Sequence, residues 1–490
     1  MLNNVYEALK DALRSDDFNQ STITKNKTTL HMSFLKSVIN HEQLHHDVLD
    51  YIQCSTSDFH DLDDIKRLIP IEGIQFSSNL AEISLSLTKG SLFIQIGSNL
   101  NEGILINIAD TNKGYRKNNL SEDEYSVIGP KVAFVEDIDT NLNLLRKEII
   151  SENLIFEELT KGSLSKSRVV IAYIDGITNP QHVNTLRQRL MEVDVDVVFD
   201  TSILDQIISD NSNTPFPLFT STERVDRMKF NLLNGQVGVL SSGSPFGISG
   251  PATVFEFFFS PEDYYLPWVL GTFFRIIRFI GVIFTIFATP FYVSIITFHY
   301  SIVPKNMLGP IIESRSNVPF PPFLEVLIME ITVELLREAG ARLPTKVGQT
   351  LGIVGGVVLG QAAVQAGLTS NILIIIVALS AVATFTTPIF KMANTIRFLR
   401  FPMIILAGAF GGLGVMVGSV FLLAHLLRLK SLGNPYLAPL YPFRYKDFKD
   451  GFVRSALSLT WSRPSFLRPL FLRRYQVQKH KDIENDYNNE

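Results

Sequence analysis

His41, Glu42 and His45 in the run HEQLH form the first metal-binding pattern along the chain. Two histidines one helical turn apart could bind zinc, and the glutamate between them could polarise a water. That chemistry needs a third ligand from another element. His31 and His46 are only local, and no Glu-bearing helix signature follows. The run reads as the polar face of a helix, with no metal, catalytic or cofactor residue assigned. No Ser/His/Asp or Cys/His set has a supporting context either, so the chain does not read as an enzyme.

Three further sets concern charge and packing. Glu330, Glu334 and Glu338 stack at i, i+4 and i+8 in the run Pro322–Arg342, with Arg337 beside Glu334. Leu324, Leu327, Ile328, Ile331 and Leu335 form the apolar side of this amphipathic helix. On a solitary interfacial helix the carboxylates are simply hydrated; repeated around a ring of subunits they attract cations. Thr350, Val354, Val357 or Val358, Gln361 and Gln365 lie on one helical stripe, which suits either interhelical hydrogen bonds or a pore lining. Gly352, Gly356 and Gly360 repeat the small-xxx-small spacing that lets membrane helices approach, as do Gly408–Gly412 and Gly414–Gly418. These glycines lack the strand-to-helix turn and the following Lys-Ser/Thr of a phosphate loop.

The segments that carry these residues divide by solvent. Of 490 residues 46% are hydrophobic and 19% charged, but the apolar runs concentrate after residue 250. Residues 1–128 read as one α/β lobe with short strands at Leu92–Ile96 and Gly103–Ile108. Residues 129–250 read as a second: a polar helical stretch near Asn141–Leu159, a strand Val169–Ile174, a turn at Asp175–Gly176, and a helix Gln181–Val193 with Val183, Leu186, Leu190 and Val193 on one face. A juxtamembrane linker, 251–278, leads to a membrane domain, 279–425, and a basic tail, 426–490. The predicted fold class is a soluble two-lobed α/β region followed by an all-α polytopic membrane domain.

Within the membrane domain Phe279–Phe298 is long enough to cross a hydrocarbon core of roughly 30 Å. The run between Lys346 and Lys391 has no ionisable residue and is divided by Gly367–Asn371; Phe401–Ala424 follows as a last span. Arg275, Arg278, Arg428 and Lys430 place both ends of a four-span domain inside. That count leaves Lys391, Arg397 and Arg400 in an outside loop, a conflict that a re-entrant segment would remove. No charged leader precedes an apolar run at Met1, so the N-terminal region is expected on the cytoplasmic side. Cys54, the single cysteine, reads as a small buried hydrophobe. The tail, with seven Lys/Arg and no acid from Gly451 to Lys481, reads as held to an anionic leaflet in preference to nucleic acid.

Long ordered blocks then carry a resemblance. SPFGISGPATVFEFFFSPEDYYLPW at Ser244–Trp268, VPFPPFLEVLIMEITVELLREAGARLP at Val318–Pro344, GQTLGIVGGVVLGQAAVQAGL at Gly348–Leu368, ANTIRFLRFP at Ala393–Pro402 and NPYLAPLYPF at Asn434–Phe443 closely resemble the A subunits of the GerA family of spore germinant receptors. YIDGITN at Tyr173–Asn179 resembles that family's second N-terminal subdomain. The resemblance implies a nutrient-sensing complex in the spore inner membrane, in which this chain assembles with a transporter-like B subunit and a lipoprotein C subunit. It also implies a homo-oligomer around a cation-conducting pore. A stand-alone secondary transporter is the alternative, but it would show inverted repeats with broken helices in two halves, and only one Gly-rich half is present.

Overall fold

The computed structural model of the chain describes residues 5–25, 28–55, 59, 61–97, 99–110, 124, 128–343, 356, 358–451, 453–456 and 460–474. Two five-stranded antiparallel sheets form the N-terminal half. β1 (Phe18–Lys25), β2 (Thr28–Leu35), β3 (Gln75–Ser77), β4 (Ser91–Ile96) and β5 (Asn99–Asn107) pair in the order β1-β2-β4-β5-β3. β6 (Leu154–Lys161), β7 (Ser167–Ile174), β8 (Thr220–Thr222), β9 (Val237–Ser241) and β10 (Gly247–Gly250) pair in the order β6-β7-β9-β10-β8. The two lobes are thus one topology used twice: hairpin, helices, short edge strand, helix, hairpin. The helices Leu80–Thr88 and Val225–Asn234 occupy equivalent places.

Local chemistry explains the elements. Asn179 caps the helix Pro180–Glu192, accepting from the Gln181 N–H, and Pro180 occupies its first turn. Val183, Leu186 and Leu190 of that helix are buried, as their spacing predicts. The expected helix over 141–159 ends earlier, because Ile138–Glu148 is followed by strand β6. Exposed Glu158 and Thr160 alternate there with half-buried Glu157, Leu159 and Lys161, a period of two that the helical reading overlooked. The lobes meet at a buried ion pair, Arg146 Nη2 to Asp17 Oδ1 at 2.9 Å, with the guanidinium over the Phe156 ring.

The helices of the C-terminal half are α1 (Trp268–Phe298), α2 (Lys305–Arg315), α3 (Pro322–Arg342), α4 (Asn371–Thr384) and α5 (Phe390–Arg428). α1 and α5 are long and apolar enough to cross a bilayer. α5 is not straight, and the single span expected over Phe401–Ala424 is corrected by its backbone. Gly411 leaves the helical region with φ 60° and ψ −137°, which a residue with a Cβ rarely adopts. A Cβ on Gly418 would stand 2.5 Å from Met403 Sδ, whereas a straight helix would hold these residues roughly 22 Å apart at 1.5 Å per residue. α5 is therefore a hairpin of two antiparallel arms, roughly 30 Å and 25 Å long by the same rise. Its bend lies at the far end of α1, where His299 Nε2 accepts from the Gly412 N–H at 3.4 Å.

Both ends of the hairpin return to the second lobe. Lys391 Nζ binds Asp205 Oδ2 at 2.7 Å, and Thr214 Oγ1 and His425 Nε2 lie 2.8 Å apart. Lys391 and Arg397 thus belong to the lobe end of the helices and Arg400 to the bundle interior, none of them to a far loop, which removes the charge conflict. The tail also turns back. Ser431 Oγ donates to Leu218 O and accepts from the Ala252 N–H, Tyr436 Oη donates to Pro217 O, and Phe466 and Leu467 are buried.

Candidate functional site

α3 packs with its charges inward. Glu325, Val326, Met329 and Glu330 are buried against α1, α4 and α5, while Leu324, Ile328, Ile331 and Leu335 face out. A helix in water does the reverse; this orientation suits a surrounding hydrocarbon or another chain. A buried carboxylate tolerates such a place only when paired and hydrogen-bonded, and each one here has an arginine.

The pairs form a ladder along α3. At the end remote from the lobes Arg315 Nη1 donates to Glu325 Oε2 at 2.6 Å and to Tyr292 Oη at 3.2 Å, while the Ser370 N–H donates to Glu325 Oε1 at 2.7 Å. Next, Arg400 Nη1 stands 2.9 Å from Glu330 Oε2 and donates to Ser380 Oγ. Glu334 follows, 3.2 Å from Arg397 Nη1 and 3.8 Å from Arg337 Nη1. Glu338 comes last, 2.5 Å from Arg342, with both side chains exposed. At the lobe end the ladder opens on a cavity of about 620 Å³ whose wall includes Arg278, Arg337 and Arg397 of the helices and Arg224, Arg227 and Glu124 of the lobe region. Across that end Lys391 faces Asp205, whose carboxyl is pushed up by burial against the opposing charge of Lys391.

The sequence-predicted residues fall into three groups. Glu330, Glu334 and Glu338 do lie in a row, each beside an arginine. Val358, Gln361 and Gln365 are exposed on the short helical stretch 358–365, and a Cβ on Gly356 or Gly360 would meet nothing within 4 Å in the single chain. Thr350, Gly352, Val354 and Val357 lie outside the described residues. Of the glycines singled out by spacing, Gly408 stands in close contact with Phe323, and Gly414 and Gly418 pack across the hairpin; Gly281 against Thr386 is a close contact that the spacing did not mark. The ladder's arginines, 315, 397 and 400, were missed as partners, though charged residues between apolar runs are themselves a signal.

Two readings from the N-terminal lobe can also be placed. His41, Glu42 and His45 are exposed and straddle a change from α-helix to a π-helical turn, Leu44–Leu49. Among the described residues no three His, Cys, Asp or Glu side chains group as a metal site would require. Cys54 is exposed, not buried as expected, because Leu44, Val48 and Ile52 take the inward face of that helix at intervals of four.

With the geometry in hand, the chain can be set beside known proteins. The family profile described as Bacillus/Clostridium GerA spore germination protein matches residues 3–466. Spore germination protein GerQA of Bacillus cereus is 43% identical over 99% of this chain and 98% of its own length. Spore germination protein GerIA of Bacillus cereus is 45% identical over 83% of this chain and 61% of its own. The crystal structure of the N-terminal domain of the A subunit of the Bacillus megaterium spore germinant receptor GerK3 aligns at 25% identity and a TM-score of 0.39, covering 51% of this chain and 95% of that one.

Proposed function

The chain belongs to the GerA family of spore germination proteins, and from that premise we propose that it is the A subunit of a nutrient-sensing germinant receptor, oligomerising to form a nutrient-gated cation channel. Its partners are a transporter-like B subunit, a lipoprotein C subunit and further copies of itself, in the inner membrane of the spore with the lobes on the cytoplasmic side. The observation that carries the channel reading is α3, which turns Glu325 and Glu330 inward and leaves an apolar surface outside. Such a helix is at home between a bilayer and a polar interior. In this reading α1, α3, the segment that includes 358–365, α4 and the two arms of α5 cross the membrane. An even number of crossings keeps Arg275, Arg278, Lys391 and Arg428 on one side, which the distribution of basic residues favours.

The pore itself falls to the exposed stripe of Val358, Gln361 and Gln365, continued by Thr350, Val354 and Val357, with Gly352, Gly356 and Gly360 as close-packing positions toward a neighbouring copy. Of the acidic row, Glu330 is neutralised by Arg400, so the cation-attracting role falls to Glu334 and Glu338, the less buried members. The reading is tested by reconstituting the chain with its B and C subunits in liposomes. Oligomers by native mass spectrometry and nutrient-dependent potassium or sodium flux are expected. A monomer that passes no cation in the full complex would overturn it.

A further inference from the structure

A second cavity, about 430 Å³, lies away from the carboxylate ladder, where three separated segments meet. One is the second-lobe helix Val225–Asn234 with the start of β9; the second is the connector that leads into α1; the third is the tail after α5. Its walls are largely apolar, with Phe230, Phe255 and Phe466 among them. Its polar atoms are what set it apart. Asn234 Oδ1, Gln236 Oε1 and Thr220 Oγ1 are buried without a hydrogen-bond partner, on residues no more than 7% exposed that all line this cavity. An orphaned buried polar atom loses its water without replacing the hydrogen bond, so three on one cavity wall call for an occupant.

Glu256 lies on the same wall. Its carboxylate accepts from Gln236 Nε2 at 2.7 Å, and that amide nitrogen also donates to Pro251 O, which leaves Gln236 Oε1 free to accept. The cations on the lining are engaged, Arg474 lying over the Phe230 ring at 5.3 Å. Arg227 reaches Glu124 and the carbonyls of Glu256 and Phe259, Lys229 binds Glu148 at 2.7 Å, and Arg463 donates to backbone carbonyls. Glu148, Asp226, Asp447 and Asp450 on the lining are taken up by Lys229, Arg224, Ser465 and Arg275, so the site offers as acceptors the Glu256 carboxylate and two amide oxygens, with a hydroxyl that can play either part. An ammonium group has three donors and no acceptor.

We propose that this cavity binds a small primary amine, held at its ammonium by Glu256, Asn234 and Gln236 and at its hydrocarbon body by the aromatic walls. A neutral alcohol could satisfy one amide oxygen but would leave the carboxylate without a counter-charge. An anion there would face the Glu256 carboxylate and the two orphaned amide oxygens. Burial pushes the Glu256 carboxyl up to about 7, against the pull of the Gln236 amide, the Arg227 charge and Thr253, so a bound cation finds it close to ionisation at neutral pH. Because the wall combines the connector before α1 with the tail after α5, an occupant ties together the two ends of the helical domain.

The test uses the full chain in detergent and titration calorimetry with phenethylamine, alongside 2-phenylethanol, which keeps the body and drops the charge. The amine is expected to bind at one site, at least tenfold more tightly than the alcohol. Glu256→Gln, which preserves shape, is expected to weaken the amine at least tenfold and to leave the alcohol unchanged; Asn234→Ala is expected to weaken the amine several-fold. Thermal melts check that each variant folds, and Asn234→Ala decides if Glu256→Gln does not. Equal binding of amine and alcohol, amine binding indifferent to both substitutions, or no heat up to about 10 mM amine would each overturn the proposal, the last leaving water as the occupant.

Discussion

Glu330 of α3 and Arg400 of α5 meet at 2.9 Å with side chains 0% and 1% exposed, so each is the other's neutralising charge in the middle of the helical bundle. Removing one partner strands the other, at a cost of about 3–5 kcal/mol. Glu330→Gln is therefore expected to lower the amount of folded chain in the membrane, and any loss of cation flux in that variant would follow from folding. Glu330→Gln combined with Arg400→Met removes both charges and is expected to restore most of the amount. Immunoblots and melts of the two variants check this. A single variant as abundant and heat-stable as wild type would show that the pair is not needed.

The bend at Gly411 makes a separate prediction about sides. With Cys54 replaced by Ser, a cysteine at Phe390 and one at Leu427 should react with an impermeant maleimide from the same side of the membrane, and a cysteine at Leu413 from the other. All three positions are exposed in the chain. Labelling of Phe390→Cys and Leu427→Cys from opposite sides would restore a single long span. Gly411→Val should also abolish the hairpin, because φ 60° is strained for a β-branched residue.

Those two cases mark what the sequence could and could not tell. The apolar run at Phe279–Phe298 announced α1, since length and composition alone identify such a helix; only its start at Trp268 was missed. The run at Phe401–Ala424 was equally apolar, yet hydropathy is blind to a backbone reversal, and the three glycines of Phe410-Gly411-Gly412-Leu413-Gly414 were the available signal. The row Glu330, Glu334, Glu338 was legible from spacing, but periodicity does not say whether a polar face turns to water or inward. That depends on Arg397 and Arg400, which are distant in sequence. The repeated sheet topology left no mark that spacing could detect, because it resides in strand order and not in residue types.

Glu256 gives the pH dependence a sign. Its carboxyl titrates near 7 in the folded chain against an ordinary value of 4.5, with Arg227 from the lobe helix, Gln236, Thr253 and the Tyr436 ring of the tail around it. The folded form then holds a proton that the unfolded form releases between those values, so this group's contribution to stability falls as pH rises from 4.5 to 7. At about 1.4 kcal/mol per unit the full change is about 3 kcal/mol. Melts of the solubilised chain at several pH values should show a shallower decline in Glu256→Gln than in wild type. Parallel curves would mean that Glu256 titrates as an ordinary carboxyl.

Val358 offers the cleanest separation of fold from conduction. Its side chain is 55% exposed in the single chain, so trimming it to alanine removes little buried surface and, away from any named stabilising feature, should change stability by no more than about 0.5 kcal/mol. If the stripe of Val358, Gln361 and Gln365 faces a pore shared by several copies, the same trimming is repeated around a constriction that closes by excluding water, and the smaller side chain eases its wetting. Spores carrying Val358→Ala are then expected to leak potassium and to germinate without nutrient, with the chain at normal amount. Gln361→Leu should act in the opposite sense, drying the same constriction and slowing nutrient-triggered release. The measurement is cation efflux from spores, before and after nutrient, normalised to the amount of chain. Unchanged efflux in both variants would move the pore away from this stripe, and a parallel fall in chain amount would assign the positions to helix packing instead.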